Sequence, residues 1–126
     1  MRTITVTLLG FALLVGISLG ANSYLNSSAQ HLSRYLANTE KSIQADKWSS
    51  ATNDLNKMQI AWRDTKYWWS ILLDHQEIDN IEISLNRLDE YIKTKGMSLS
   101  LGELSALQML IEHISDKETP SLRNIL

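Results

Sequence analysis

The chain has 126 residues, with 12 Lys plus Arg against 14 Asp plus Glu and a formal net charge of −2. Charges of both signs are interspersed, so no basic patch indicates a nucleic-acid partner. The absence of cysteine excludes disulfides, a lipid-modified cysteine and thiol chemistry.

The N-terminal segment is strongly apolar, because residues 3–20 contain no charged side chain. A helix of this length spans about 27 Å, close to the ~30 Å hydrocarbon core of a bilayer. The sequence therefore predicts a membrane-inserted or exported protein. We divide it into an N-terminal signal anchor or signal peptide, residues 1–22, and an extracytoplasmic helical domain, residues 23–126.

Two interpretations of the apolar segment remain open. For a cleaved signal peptide, Ser18 and Gly20 are small enough for signal peptidase, which would leave Ala21 as the new N-terminus and a secreted protein. For a retained anchor, the segment is longer than a typical signal peptide core, and this interpretation is favoured. Arg2 favours an inside N-terminus, although Arg34 on the other side weakens the asymmetry.

The rest of the chain has few helix breakers. Pro120 is the only proline, and Gly96 and Gly102 are the only glycines beyond the apolar segment. This predicts an all-α domain. A first helical face is formed by Leu25, Ser28, Leu32, Tyr35, Thr39 and Ile43. Because nothing breaks the chain before it, we expect the membrane helix to continue into the domain and to end near residues 44–46.

Two further helical faces follow. The second consists of Trp48, Ala51, Leu55, Met58 and Trp62. The third consists of Tyr67, Ile71, Asp74, Ile78, Ile81, Leu85, Leu88 and Ile92. Because the two faces are out of phase, the polar segment 63–66 is predicted to hold a turn, and one long two-faced helix is the alternative.

Local signals predict where the helices begin and end. Asp46 is a candidate cap for the second helix, and Gly96 is expected to end the third in the left-handed conformation. Ser100 and Glu103 have the spacing of a capping box that opens the fourth. Residues 119–126 are predicted to form a short terminal helix. The predicted fold is an N-terminal transmembrane or signal helix followed by an antiparallel bundle of about four helices.

Asp74 is the most unusual residue of the third face, because Ile71 and Ile78 flank it one turn away on either side. Burial of an unpaired polar group costs about 2–7 kcal/mol, so a buried Asp74 needs donors, such as the indoles of Trp62 and Trp69. One interpretation is a proton-handling or ligand-anchoring group. The favoured interpretation is structural: a buried polar residue that fixes helix register, or a residue near a helix end that is open to water.

Four tryptophans lie close together in the chain: Trp48, Trp62, Trp68 and Trp69. Adjacent helical residues point to different sides, so Trp68 and Trp69 cannot both face the core. We expect three indoles in the core and an exposed Trp68 that contacts a partner or the membrane surface.

Signals for metal binding and catalysis are weak. Neither His75 nor His113 has a glutamate three residues before it, and Glu112 lies away from the apolar face of its helix. The chain has no cysteine nucleophile, glycine-rich phosphate loop or nucleophile elbow. The sequence therefore predicts no catalytic residue, no metal site and no cofactor.

Several segments together resemble a known family: the apolar N-terminus, Trp62 and Trp69, the segment Asp74-His75-Gln76-Glu77-Ile78, residues 85–92, and the ending Ser121-Leu122-Arg123-Asn124-Ile125-Leu126. The chain is similar over nearly its whole length to domain-of-unknown-function family 4363, which consists of short Firmicute proteins. The resemblance implies a small membrane-associated protein of Gram-positive bacteria, with no known activity to transfer.

The sequence is compatible with three functions. The favoured one is a non-enzymatic accessory module, held by membrane lipid through its N-terminal helix, whose bundle contacts another membrane or envelope protein. The alternative is an extracytoplasmic ligand-sensing domain with a polar-floored pocket around Asp74, His75, Trp62 and Trp69. A metal-dependent hydrolase would require Asp74, His75 and Glu112 near one metal ion.

Overall fold

The computed structural model of the protein describes residues 1–118, and the side chains of residues 1–116. This part of the chain forms four helices and no strand: α1 (Arg2–Gln44), α2 (Trp48–Leu72), α3 (His75–Lys93) and α4 (Met97–Glu118). The predicted all-α class is therefore confirmed. The terminal helix that the sequence predicts over residues 119–126 lies outside the described residues.

Helix α1 has two parts with different surroundings. Residues 1–20 are all exposed, and the first buried side chain is that of Leu25. From there to Ile43, the inward face of α1 packs in the bundle. The helix is continuous through both parts and ends at Gln44, as the sequence predicts.

The four helices form an antiparallel bundle with short connections at residues 45–47, 73–74 and 94–96. Helix α1 packs against α2 and α4, and α3 packs against the same two helices. Ser42 Oγ near the end of α1 donates to Asp54 Oδ2 near the start of α2 at 2.6 Å. At the opposite end, Trp69 Nε1 donates to Ser28 Oγ at 2.8 Å, so the two helices run in opposite directions along their whole contact.

The second connection, residues 73–74, begins ten residues after the start of the predicted turn at 63–66, which is on the order of three helical turns. Helix α2 runs through residues 63–66, so the predicted turn is wrong. The single helix predicted over the third face is wrong as well, because that face is divided by the connection at residues 73–74. The physical reason is that the second face continues: Thr65 and Trp69 are buried in phase with Trp62. Residues of the third face that precede the true break, Tyr67 and Ile71, are consequently exposed.

The first and third connections use the same C-terminal motif. The N–H groups of residues 46 and 47 donate back to the carbonyls of residues 43 and 42, and those of 95 and 96 donate to 92 and 91. This is the Schellman pattern, which places one residue in the left-handed conformation. That residue is Asp46 in one turn and Lys95 in the other, with φ of 59° and 55°. The left-handed conformation predicted for Gly96 is therefore found one residue earlier, at Lys95. The predicted cap of α2 is also wrong, because Asp46 belongs to the C-terminal motif of α1 and Lys47 is the N-cap of α2.

The predicted capping box of α4 is also wrong, because the helix begins about one turn earlier, at Met97. Ser100 is fully buried, and its Oγ has no hydrogen-bond partner among the described residues. Glu103 instead accepts a hydrogen bond from the buried Ser84 of α3 at 2.8 Å. This pair connects α3 and α4 across the bundle.

Candidate functional site

Two of the four tryptophans belong to the core where α1, α2 and α3 meet. Trp69 is completely buried, Trp62 nearly so, and their rings pack edge to face with centroids 5.6 Å apart. The Trp69 indole donates to Ser28 Oγ on α1. The Trp62 indole donates to Glu82 Oε1 on α3 at 3.4 Å, and Lys66 Nζ lies 2.6 Å from the same oxygen. Each buried indole thus has a polar partner on a neighbouring helix.

The other two tryptophans are less enclosed. Trp48 is half-buried against the core, and its Nε1 donates to Asp46 Oδ1 at 2.6 Å. Trp68 is exposed and packs edge to face against the ring of Tyr67, with centroids 5.3 Å apart. The structure therefore separates adjacent residues, with Trp69 in the core and Trp68 in contact with solvent.

Asp74 is exposed at a helix end, so the interpretation as a buried polar residue is wrong, and the alternative of a residue near a helix end that is open to water describes its position. It is the N-cap of α3, and its Oδ1 accepts a hydrogen bond from the backbone N–H of Gln76 at 3.2 Å. His75, the first residue of α3, is exposed as well. A polar-floored pocket needs these side chains inside the bundle, so the structure does not assemble the predicted pocket around Asp74, His75, Trp62 and Trp69.

The sequence contains a signal for the role of Asp74, but the prediction of a single helix over the third face, from Tyr67 to Ile92, conceals it. Asp74 followed by Glu77 has the spacing of a capping box, and an apolar face begins at Ile78. An aspartate at this position places a negative charge at the positive end of the helix dipole. The segment that carries much of the family resemblance is therefore the start of α3.

Asp74→Ala should lower the free energy of unfolding by about 1 kcal/mol, because the N–H of Gln76 loses its acceptor. Asp74→Asn should leave it nearly unchanged, since asparagine caps helices as well as aspartate does. Urea unfolding followed by circular dichroism measures both, and Asp79→Ala, on the exposed surface of the same helix, is the control. A loss of several kcal/mol in Asp74→Asn would contradict the capping role.

The residues considered for a metal site do not converge. Glu112 and His113 are exposed on α4, and within residues 1–118 no group of three His, Cys, Asp or Glu side chains is placed to hold a metal ion. The structure therefore does not bring together the ligands that a metal-dependent hydrolase would require.

Among the open grooves along the described part of α4, two lie between it and a neighbouring helix. The first, about 400 Å³, separates α4 from α1 and is lined mainly by polar side chains, among them Gln30, Arg34 and Asp116. In its wall, Ser115 Oγ donates to Asn26 Oδ1. The second, about 430 Å³, lies between α3 and α4 and exposes more apolar surface. Ile83 and Met109 are exposed along it, although the sequence patterns did not identify either residue.

Residues 19–125 match the profile of a family described as a domain of unknown function, DUF4363. The match begins near the end of the apolar segment of α1 and confirms the family that the sequence resembles. Neither the curated proteins nor the solved structures include a match to this chain.

Proposed function

This chain belongs to the DUF4363 family of unknown function, and we propose that it is a non-enzymatic accessory protein of the cell membrane. Helix α1 anchors it by a single pass, and its bundle lies on the extracytoplasmic side, where it contacts another membrane or envelope protein. The observation that carries this proposal is the division of α1 into an uncovered apolar part and a packed part.

The N-terminal part of α1 supports the anchoring role. It is long and apolar enough to cross a membrane, and none of its most apolar stretch is buried in the bundle. Exposed apolar side chains along a whole helix are unfavourable in water and favourable in lipid. Because α1 is continuous, the bundle would be held close to the membrane at a fixed direction relative to the anchor.

The groove between α3 and α4 supports a protein partner. Ile83 and Met109 expose 48% and 68% of their surface there, and Leu110 is half-buried beside them. Grouped exposed apolar side chains of this kind are typical of interaction surfaces. The charged Arg87 and Glu103 lie in the same groove and provide a polar edge.

The proposal is tested by crosslinking in intact membranes, followed by recovery of the tagged full-length protein. A second chain carries an unrelated anchor in place of residues 1–20, and a third carries Met109→Glu. We expect the first two chains to recover one common integral membrane protein and the third to lose it. Recovery only with the native anchor would place the contact in the bilayer, and recovery of no specific protein by any chain would contradict the accessory role.

A further inference from the structure

The end of α2 carries an exposed apolar patch that does not belong to the core. It consists of Tyr67, Trp68, Ile71 and Leu72, which expose 66%, 53%, 61% and 38% of their surface. We call these four residues the Trp68 patch. Aromatic residues with a polar tip, such as tryptophan and tyrosine, are enriched where a membrane meets water.

The Trp68 patch lies at the end of the bundle from which the apolar segment emerges. Trp69, within the patch sequence, hydrogen-bonds to Ser28 of α1. Because the two helices are antiparallel, Ile71 and Leu72 lie level with residues 25–26, about 8–9 Å along the axis beyond Gly20. The headgroup region on each side of a bilayer is about 5–7 Å thick. These two side chains are therefore level with the outer edge of the headgroups when α1 is upright.

The patch lies on α2, to one side of the axis of α1, so a tilt toward α2 would lower it. Successive helical residues are rotated by about 100°, which places Ile60, Tyr67 and Ile71 within about 40° of one another on the outer face of α2. The axis of α2 lies about 8–10 Å from the axis of α1. A tilt of about 20°, the average for membrane helices, would bring Ile71 and Leu72 about 3 Å closer to the membrane, into the headgroups.

We propose that the end of the Trp68 patch formed by Ile71 and Leu72 rests in the headgroup region of the membrane, with Tyr67 and Trp68 about 6 Å further out, and that this contact sets the direction in which α1 and the bundle tilt. This inference rests on the proposed anchoring by α1. The adjacent turn contributes acidic Asp74 and Glu77, so attraction to anionic lipid is not the basis of the contact. The contact is instead based on the partitioning of aromatic and apolar side chains into the membrane surface. It should therefore form equally on neutral and anionic membranes.

The natural absence of cysteine allows a direct test with a single environment-sensitive label on the full-length chain. Ile71→Cys reports on the patch. Ile60→Cys is the matched control, because it is an exposed isoleucine on the same face of α2, about 16 Å further from the membrane. Leu13→Cys reports on the anchor. Each labelled protein is placed in phosphatidylcholine vesicles, with and without phosphatidylglycerol, at fewer than one chain per vesicle on average.

At position 71 we expect a blue-shifted emission and several-fold stronger quenching by a lipid-attached quencher than at position 60, in both vesicle types. Water-like emission at 71 together with lipid quenching at 13 would overturn the patch contact and leave the anchor intact. Water-like emission at 13 would overturn the anchoring on which it rests. A blue shift at 71 without lipid quenching would assign the patch to a protein surface and also overturn the proposal.

Discussion

Trp69→Ala should lower the free energy of unfolding of the bundle by about 3–5 kcal/mol, whereas Trp68→Ala should change it by less than about 0.5 kcal/mol. The two residues are adjacent, but only Trp69 is completely buried, against Trp62 and Ser28. Alanine at position 69 would leave a large cavity and remove the donor to Ser28. Native domains are stable by only about 5–15 kcal/mol, so this loss is a large part of the total.

Urea unfolding of both variants in detergent, followed by far-ultraviolet circular dichroism, measures the difference. Trp69→Phe provides a second comparison, because it keeps most of the apolar volume and loses the indole N–H. We expect the free energy of unfolding of Trp69→Phe to lie between that of the native protein and that of Trp69→Ala. Equal losses for Trp68→Ala and Trp69→Ala would contradict the assignment of one indole to the core and the other to the surface.

The sequence was most informative where one pattern ran without interruption. The first helical face, from Leu25 to Ile43, and the lack of any breaker before it predict the continuous α1 that the structure contains. The fold class follows from the same two signals, because spacing by three and four residues and the scarcity of glycine and proline both favour helix. Neither signal depends on the position of the turns.

The position of the second turn could not be read from the apolar pattern alone. Polar residues 63–66 suggested a turn, yet Arg63 and Asp64 simply lie on the exposed side of α2, while Thr65 is buried between Trp62 and Trp69. Ile71 and Asp74 were assigned to a buried face because their spacing from Ile78 suits a helix that does not exist there. The capping pattern that starts at Asp74 is the stronger evidence for where α3 begins. It reflects the need of the first backbone N–H groups of a helix for an acceptor, whereas the spacing of apolar residues reflects only an average preference.

The Trp68 patch depends on this one boundary. With the break after Leu72, Tyr67 and Ile71 become exposed next to Trp68, and a patch forms at the end of α2. With the break at residues 63–66, the same side chains would line the core. The Ile83 and Met109 surface needed tertiary information, because only the packing of α3 against α4 places the two side chains along one groove.

Leu9→Arg combined with Leu13→Arg should remove the protein from the membrane fraction. Each arginine near the centre of a membrane helix costs about 2.5–3.5 kcal/mol, and two together reduce insertion by about four orders of magnitude. Thr3→Arg combined with Thr5→Arg adds the same charge near the end of the segment, where long side chains reach the headgroups, and should remain inserted. Retention is measured as the share of protein that resists alkaline carbonate extraction.

The exposed N-terminal half of α1 makes this comparison a test of anchoring alone. Because no side chain of residues 1–20 is buried, the arginine variants should unfold in detergent at the same urea concentration as the native chain. Carbonate-resistant Leu9→Arg, Leu13→Arg protein would contradict insertion of this segment. If the native protein is instead found in the soluble secreted fraction with Ala21 at its N-terminus, the segment is removed by signal peptidase. Such a cleaved protein could still fold, because every buried residue of α1 lies after position 21.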